Sequence, residues 1–184
     1  MVLLNSPVCN FGEKFTEFCL LNIDEKKYSL RHLVGNNGTL IMFICNHCPY
    51  VKAIISRLIE TTIELREFGI NSIAIMPNDV KNYPEDNFEN MKDFSRKHNF
   101  NFPYLIDEKQ EVAKQYGAVC TPDFFGYNKL GELNYRGRIS KIKNLKFVSE
   151  ENELLKAMIE IAETQKGPIQ QFPSSGCSIK WKNN

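Results

Sequence analysis

The sequence has little net charge, no long apolar run and no low-complexity tract. Its 184 residues carry a formal net charge of +1, so a basic face for nucleic acid or for an anionic membrane is not expected. No apolar run approaches the roughly 20 residues of a membrane-spanning helix. Hydrophobic content is 42% and no Gly-, Ser- or Pro-rich linker divides the chain. These features predict one globular domain over residues 1–184.

The first ten residues also lack the basic stretch, apolar core and small-residue cleavage site of a secretory signal. We therefore expect a cytoplasmic protein, in which cysteines are catalytic, metal-binding or simply buried rather than joined in structural disulfides. The six cysteines are Cys9, Cys19, Cys45, Cys48, Cys120 and Cys177. Only Cys45 and Cys48 are close in sequence, as a C-x-x-C pair, and they direct the search for a site.

The C-x-x-C pair lies between a predicted buried strand and a predicted helix. Residues 39–45 form a continuous apolar run, and apolar residues then recur at helical spacing from Val51 to Thr62. A second apolar run over residues 70–76 completes a β-α-β unit. Pro49 has no N–H and belongs in the first helical turn, so the helix is predicted to start at Asn46 or His47.

Cysteines at a helix N-terminus favour redox chemistry. The thiolate is the reactive form, and unpaired N–H groups with the positive end of the helix dipole stabilise it. His47, if protonated, would favour the Cys48 thiolate further, although a packing or solvent-facing histidine is an equal alternative. Two other interpretations are a buried pair without function and a copper or zinc module that uses Cys45, Cys48 and His47 with Cys177. The absence of a second cluster with zinc-ligand spacing favours the redox interpretation.

Two hairpins, three further helices and a tail complete the prediction. The hairpins cover residues 18–30 and 123–138, and residues 1–38 form an N-terminal extension around the first of them. Helices are expected at 84–98, 108–117 and 152–164, the first with acids at its start and bases at its end as the dipole favours. The tail, residues 167–184, is predicted to be irregular and to dock on the body through the lone Trp181.

Several segments together resemble the thioredoxin superfamily, and more narrowly its peroxiredoxin-like, AhpC/TSA-type branch. They are FICNHCPYVK at 43–52, MPNDVKNYPED at 76–86, residues 102–123, YRGR at 135–138 and GCSIKWK at 176–182. The resemblance implies an α/β, thioredoxin-like fold: a central mixed β-sheet flanked by helices, with an N-terminal β-hairpin extension and an irregular C-terminal tail.

The resemblance also implies roles for individual residues. Thr121 and Pro122 correspond to a cis-proline loop that faces the C-x-x-C pair and pairs with an extended substrate peptide. In thioredoxins the first cysteine attacks and the second resolves, which assigns attack to Cys45 and resolution to Cys48. In peroxiredoxins the second would attack peroxide, but Cys45 and Ile41 stand where that family has Thr and Pro, which favours disulfide exchange.

The predicted function is therefore a thiol-disulfide oxidoreductase, with an antioxidant thiol peroxidase using Cys48 as the first alternative and the metal module as the second. Expected partners are protein or small-molecule disulfides and a reductant such as thioredoxin or glutathione; no cofactor, nucleic acid or membrane is expected. Cys120 and Cys177 are candidates for a second pair that exchanges electrons with the first, or else a buried apolar residue and an ordinary tail residue. Arg136 and Arg138 are interpreted as a solvated strand edge rather than as stabilisers of a thiolate.

Overall fold

The computed structural model describes residues 3–182 as twelve strands, four α-helices and two 3₁₀ turns. The helices are α1 Pro49–Glu67, α2 Phe88–His98, α3 Glu111–Gln115 and α4 Glu153–Thr164, and the 3₁₀ turns are Leu30–His32 and Pro84–Asp86. The first six strands are β1 Leu3–Asn5, β2 Cys19–Asn22, β3 Lys27–Ser29, β4 Gly38–Phe43, β5 Ile70–Met76 and β6 Tyr104–Ile106. The others are β7 Cys120–Thr121, β8 Asp123–Asn128, β9 Leu133–Gly137, β10 Ile142–Lys143, β11 Lys146–Phe147 and β12 Ser175–Ser178.

Seven strands form the predicted central mixed sheet, in the order β3-β2-β6-β5-β4-β8-β9. The pairs β4–β5 and β5–β6 are parallel, and the other pairs are antiparallel. The hairpin of the N-terminal extension joins this sheet through β2 and β6. Among residues 3–182, no helix combines the length and the apolar character needed to cross a membrane.

Strand β4 is buried along its whole length because its side chains serve both faces of the sheet. Leu40 and Met42 point to the face covered by α1, α2 and α4. Ile41 and Phe43 point to the opposite face, where α3 and the start of the chain cover them. This strand ends two residues before Cys45, so the sheet edge fixes where the C-x-x-C pair begins.

Helix α1 begins at Pro49 and not at Asn46 or His47 as predicted. Cys48 is its N-cap, with extended backbone at φ −64° and ψ 123°. The ring of Pro49 excludes helical backbone at the residue before it, which explains the later start. Cys48 alone therefore lies at the helix end, and Cys45 lies in the connection that precedes it.

The helix predicted over 84–98 is divided in two. A 3₁₀ turn, Pro84–Asp86, comes first, and Asn87 then caps α2 by accepting a hydrogen bond of 2.9 Å from the N–H of Asn90. The break turns the side chain of Asp86 inward, where it is fully buried. Asp86 is thus not the exposed, dipole-favoured acid that the sequence indicated.

The tail is not irregular throughout, because β12 pairs antiparallel with β1 on one side and with β7 on the other. The pairing places Cys177 opposite Thr121, where the cysteine is 1% exposed. A side chain at Gly176 would come within 2.2 Å of the Thr121 carbonyl oxygen, so only glycine permits this approach. Residues 1, 2, 183 and 184, the ends of the predicted extension and tail, lie outside the described residues.

A methyl group at Gly176 tests this close approach. We expect Gly176→Ala to lower the free energy of unfolding by about 1–3 kcal/mol, because β12 must move away from the Thr121–Pro122 peptide. Urea denaturation measures the change, with Ser175→Ala, at an exposed position of the same strand, as the matched control. Equal stabilities of the two variants would contradict the proposed packing.

Candidate active site

Three cysteines converge on Thr121. Cys45 Sγ lies 3.3 Å from the Thr121 hydroxyl, and Cys48 Sγ lies 3.2 Å from its carbonyl oxygen. Cys177 is the residue opposite Thr121 in the β7–β12 pair, and its side chain is hydrogen-bonded to Cys48. The bond from Thr121 to Pro122 is cis. All three thiols are buried, with Cys48 at the centre of the group.

Hydrogen bonds lower the pKa of Cys48 far below its ordinary value. The thiol of Cys177 gives the largest contribution and the thiol of Cys45 the next, followed by backbone N–H groups that include Val51 in the first turn of α1. The carbonyl oxygen of Thr121 acts in the opposite direction, since it accepts a proton from Cys48 only in the thiol form. Several donors against one acceptor favour the thiolate at Cys48.

The pKa values of the other two thiols are raised. Burial raises the pKa of Cys45 well above its ordinary value, and the hydrogen bond to Cys48 raises it further. The pKa of Cys177 is raised chiefly by its hydrogen bond to Cys48 and then by burial. These directions favour a thiolate at Cys48 over one at Cys45, whereas the sequence assigned attack to Cys45.

His47 forms an ion pair with a carboxylate that the sequence analysis missed. Its Nδ1 lies 2.6 Å from Asp86 Oδ2, and this contact raises the pKa of the imidazole. Asp86 also accepts hydrogen bonds from the N–H groups of Asn46 at 2.8 Å and His47 at 3.2 Å, and from the side chain of Asn78 at 2.7 Å. The pair therefore favours the protonated imidazole, whose charge the Asp86 carboxylate balances.

A protein-family model matches most of the chain. Residues 11–141 match the model of the AhpC/TSA family. The chain belongs to the AhpC/TSA family. An uncharacterized conserved protein from Geobacillus kaustophilus is 36% identical, with a TM-score of 0.94 over 100% of this chain and 98% of that one.

More distant relatives carry functional names. The thiol-disulfide oxidoreductase ResA of Bacillus cereus is 23% identical over 145 residues, which are 79% of this chain and 76% of ResA. The thioredoxin domain of a thiol-disulfide oxidoreductase from Bacteroides vulgatus is 14% identical, with a TM-score of 0.59 over 71% of this chain and 89% of that domain. The predicted thioredoxin-like fold and peroxiredoxin-like family are confirmed.

In this AhpC/TSA protein the predicted peptide-binding edge at Thr121 and Pro122 is occupied. Strand β12 already pairs with β7, so an extended substrate cannot pair there while the tail is in place. Pro122 instead lines a small cleft of about 70 Å³, together with Tyr50 and Phe124. The role predicted for the loop therefore needs a displaced tail or a small substrate.

Cys120 and Cys177 are not brought together as the predicted second pair. The strand register puts Cys120 opposite Ser178, and adjacent strand residues point to opposite faces. Cys120 Sγ instead donates to the carbonyl oxygen of Pro122 at 3.6 Å, and burial raises its pKa. This is the buried small residue that the sequence analysis left as the alternative.

The interpretation of Arg136 and Arg138 as a solvated strand edge is wrong. Arg136 is buried and donates to the carboxylate of Asp123 at 3.0 Å and to the carbonyl of Gly117 at 2.7 Å. Arg138 forms a forked ion pair with Glu153 at the start of α4. Because Asp123 directly follows Pro122, the Arg136 pair anchors the loop that meets the thiols.

The set of side chains that could hold a metal differs from the predicted one. Among the described residues, Cys45, His47 and Asp86 have ligand atoms within 4.8 Å of one another. Each carboxylate oxygen of Asp86 already accepts two hydrogen bonds, and one of these four comes from His47 Nδ1. A bound metal ion would have to replace some of them. The donor set suits a metal in kind, but its protein partners favour the role of an ion pair.

The thiolate assignment predicts a pH titration. In reduced protein, we expect one thiolate to absorb in the ultraviolet at neutral pH and to persist as the pH falls well below the ordinary cysteine pKa, because hydrogen bonds stabilise it. Cys48→Ser is expected to remove this absorbance, whereas Cys45→Ser and Cys177→Ser retain it with a higher pKa. An acid-resistant signal that disappears in Cys45→Ser and remains in Cys48→Ser would reverse the assignment.

The ion pair predicts how Asp86→Asn behaves. We expect the His47 pKa, followed by NMR, to fall toward its ordinary value, and stability to fall by about 1.5–3 kcal/mol, as for other hydrogen bonds between charged groups. A raised folded pKa stabilises most fully below the unfolded value of about 6.5 and less as the pH rises through the folded value. The stability difference from wild type should therefore shrink in alkaline buffer.

Glu85→Gln is the control for Asp86→Asn, since it removes an exposed charge from the neighbouring position. We expect this variant to lower the His47 pKa much less than Asp86→Asn does, because the Glu85 charge is the smallest of the causes that raise it, and to leave the unfolding free energy nearly unchanged. A His47 pKa that did not respond to Asp86→Asn would contradict the role given to the ion pair.

Proposed function

We propose that this protein is a thiol-disulfide oxidoreductase that cycles Cys45 and Cys48 between dithiol and disulfide. The observation that carries the proposal is that both sulfurs meet Thr121, Cys45 Sγ at 3.3 Å from its hydroxyl and Cys48 Sγ at 3.2 Å from its carbonyl oxygen, with Cys48 at the cap of α1. The two thiols are hydrogen-bonded to each other, and this contact favours the thiolate at Cys48. Cys48 is thus the activated nucleophile, and Cys45 is placed to resolve the mixed disulfide that Cys48 forms with the substrate. The activity in the name of the ResA relative supports this proposal.

In the first step, the Cys48 thiolate attacks one sulfur of a substrate disulfide. A mixed disulfide forms at Cys48, and the other substrate sulfur leaves as a thiolate. His47 is the proton source for this leaving group, because its ion pair with Asp86 keeps it protonated near the thiols. The attacking and resolving roles are therefore exchanged relative to the thioredoxin-like assignment made from the sequence.

In the second step, Cys45 resolves the mixed disulfide. His47, now neutral, takes the proton of Cys45, whose sulfur lies within 4.8 Å of the imidazole ligand atom. The Cys45 thiolate attacks Cys48 Sγ, and the second substrate thiolate leaves and takes a proton from His47. The protein is left with the Cys45–Cys48 disulfide, which a reductant returns to the dithiol; thioredoxin and glutathione are the candidate reductants.

A thiol peroxidase is the second candidate, and the burial of the thiols favours it. Cys48 is 0% exposed and Cys45 is 1% exposed, so a small peroxide reaches them more readily than a protein does. The Cys48 thiolate would take the terminal peroxide oxygen to form a sulfenic acid and release an alcohol or water. Cys45 would then displace water to form the same disulfide.

Single-cysteine variants test both candidates. We expect Cys48→Ser to lower turnover of a small disulfide by roughly 10³-fold or more, because it removes the nucleophile. Cys45→Ser should still react, forming a mixed disulfide on Cys48 that intact mass detects, but it should form no Cys45–Cys48 disulfide. Cys120→Ser is the control that retains turnover, because Cys120 is buried on the strand face opposite Cys177.

Reaction rates measured with the same reduced protein distinguish the oxidoreductase from the peroxidase. Thiol loss with a small disulfide and with hydrogen peroxide is followed by stopped flow. A peroxide rate similar to that of free cysteine, together with fast disulfide exchange, supports the oxidoreductase. Fast peroxide consumption that survives in Cys45→Ser and is lost in Cys48→Ser, with slow disulfide exchange, would replace it with the peroxidase.

A further inference from the structure

A third thiol lies against the proposed dithiol and has no part in its cycle. Cys177 is buried on β12, opposite Thr121, and its side chain is hydrogen-bonded to Cys48. The three sulfurs share one buried apolar cluster, in which Cys48 is the neighbour of both others. Cys48 thus has two possible disulfide partners, Cys45 on its own loop and Cys177 on the tail.

We propose that Cys177 is a third redox thiol, which displaces Cys45 from the Cys45–Cys48 disulfide and forms a Cys48–Cys177 disulfide. The inference rests on the proposed function, since the Cys45–Cys48 disulfide is its starting point. Cys177 loses its proton and attacks Cys48 Sγ, the Cys45–Cys48 bond breaks, and Cys45 leaves as a thiolate that takes up the proton. One disulfide is exchanged for another, so the step needs neither an oxidant nor a reductant.

The fold prepares Cys177 for this attack. Hydrogen bonds hold β12 on both edges. Just before the strand, the Ser174 hydroxyl donates to the Gly137 carbonyl at 2.7 Å, and the Ser174 backbone N–H donates to the Ser6 hydroxyl oxygen at 2.9 Å. Gly176 lets the strand approach the Thr121–Pro122 peptide closely. Thiols in hydrogen-bond contact need only a small displacement to reach the disulfide S–S length of about 2.05 Å.

The exchange has two consequences for the site. Cys45 becomes a free thiol again, beside His47, while the oxidising equivalent is stored on the tail. The cap of α1 is then joined covalently to β12, which fixes the strand that occupies the β7 edge. A reductant that attacks Cys177 Sγ would release Cys48 as the thiolate, the leaving group whose pKa the surrounding hydrogen bonds lower.

The test maps disulfides after a pulse of a small disulfide substrate, with acid quenching, alkylation and peptide mass spectrometry. We expect both Cys45–Cys48 and Cys48–Cys177 in wild type. In Cys45→Ser the mixed disulfide on Cys48 should be resolved by Cys177, so that Cys48–Cys177 is the only internal product. In Cys177→Ser only Cys45–Cys48 should form. Cys120 precedes Thr121 on β7 and points to the strand face opposite Cys177, so Cys120→Ser should match wild type.

Failure of this inference is distinguishable from failure of the proposed function. If Cys45→Ser accumulates a stable mixed disulfide on Cys48 and no Cys48–Cys177 appears in any variant, the third thiol is excluded while the dithiol cycle stands. If Cys48 of wild type does not react with the substrate, the proposed function fails first. Gly176→Ala, in which all three thiols remain, provides an independent check: it should reduce Cys48–Cys177 and preserve Cys45–Cys48.

Discussion

The antiparallel pairing of β7 with β12 is the contact on which the site depends. It places Thr121 between the loop that carries Cys45, the helix cap that carries Cys48 and the strand that carries Cys177. The pairing exists because Gly176 has no side chain where the strands come closest. One short ladder of backbone hydrogen bonds therefore brings together groups that lie more than a hundred residues apart in the sequence.

Within that frame, electrostatics allows one charge among three buried sulfurs. Two thiolates in such a small apolar space would repel each other, and burial penalises each of them. The charge is favoured at Cys48 because two neighbouring thiols donate to it, and so do the backbone N–H groups of Val51, in the first turn of α1, and of Cys177. His47 balances the charge from the side, and Asp86 holds the imidazole in its protonated form.

Periodicity along the chain was enough to predict the main secondary structure. The buried run of β4, the apolar spacing of α1 and the position of β5 all follow from local pattern, and so does the C-x-x-C pair between them. The later start of α1 also follows from a local rule, the effect of a proline on the residue before it. The inward turn of Asp86 and the strand at Ser175–Ser178 depend on contacts with distant segments, and neither polar sequence carries a periodic signal.

Strand β12 also pairs with Leu3–Asn5, so the first described strand is linked through the tail to the sulfur atoms. Any redox step that loosens or tightens β12 changes the protection of both ladders at the same time. The amide hydrogens of that first strand would then exchange with solvent at a rate that depends on which sulfurs are bonded. Amide hydrogen exchange in Leu3–Asn5, which carries no reactive group, would therefore report the oxidation state of cysteines that lie far from it in the sequence.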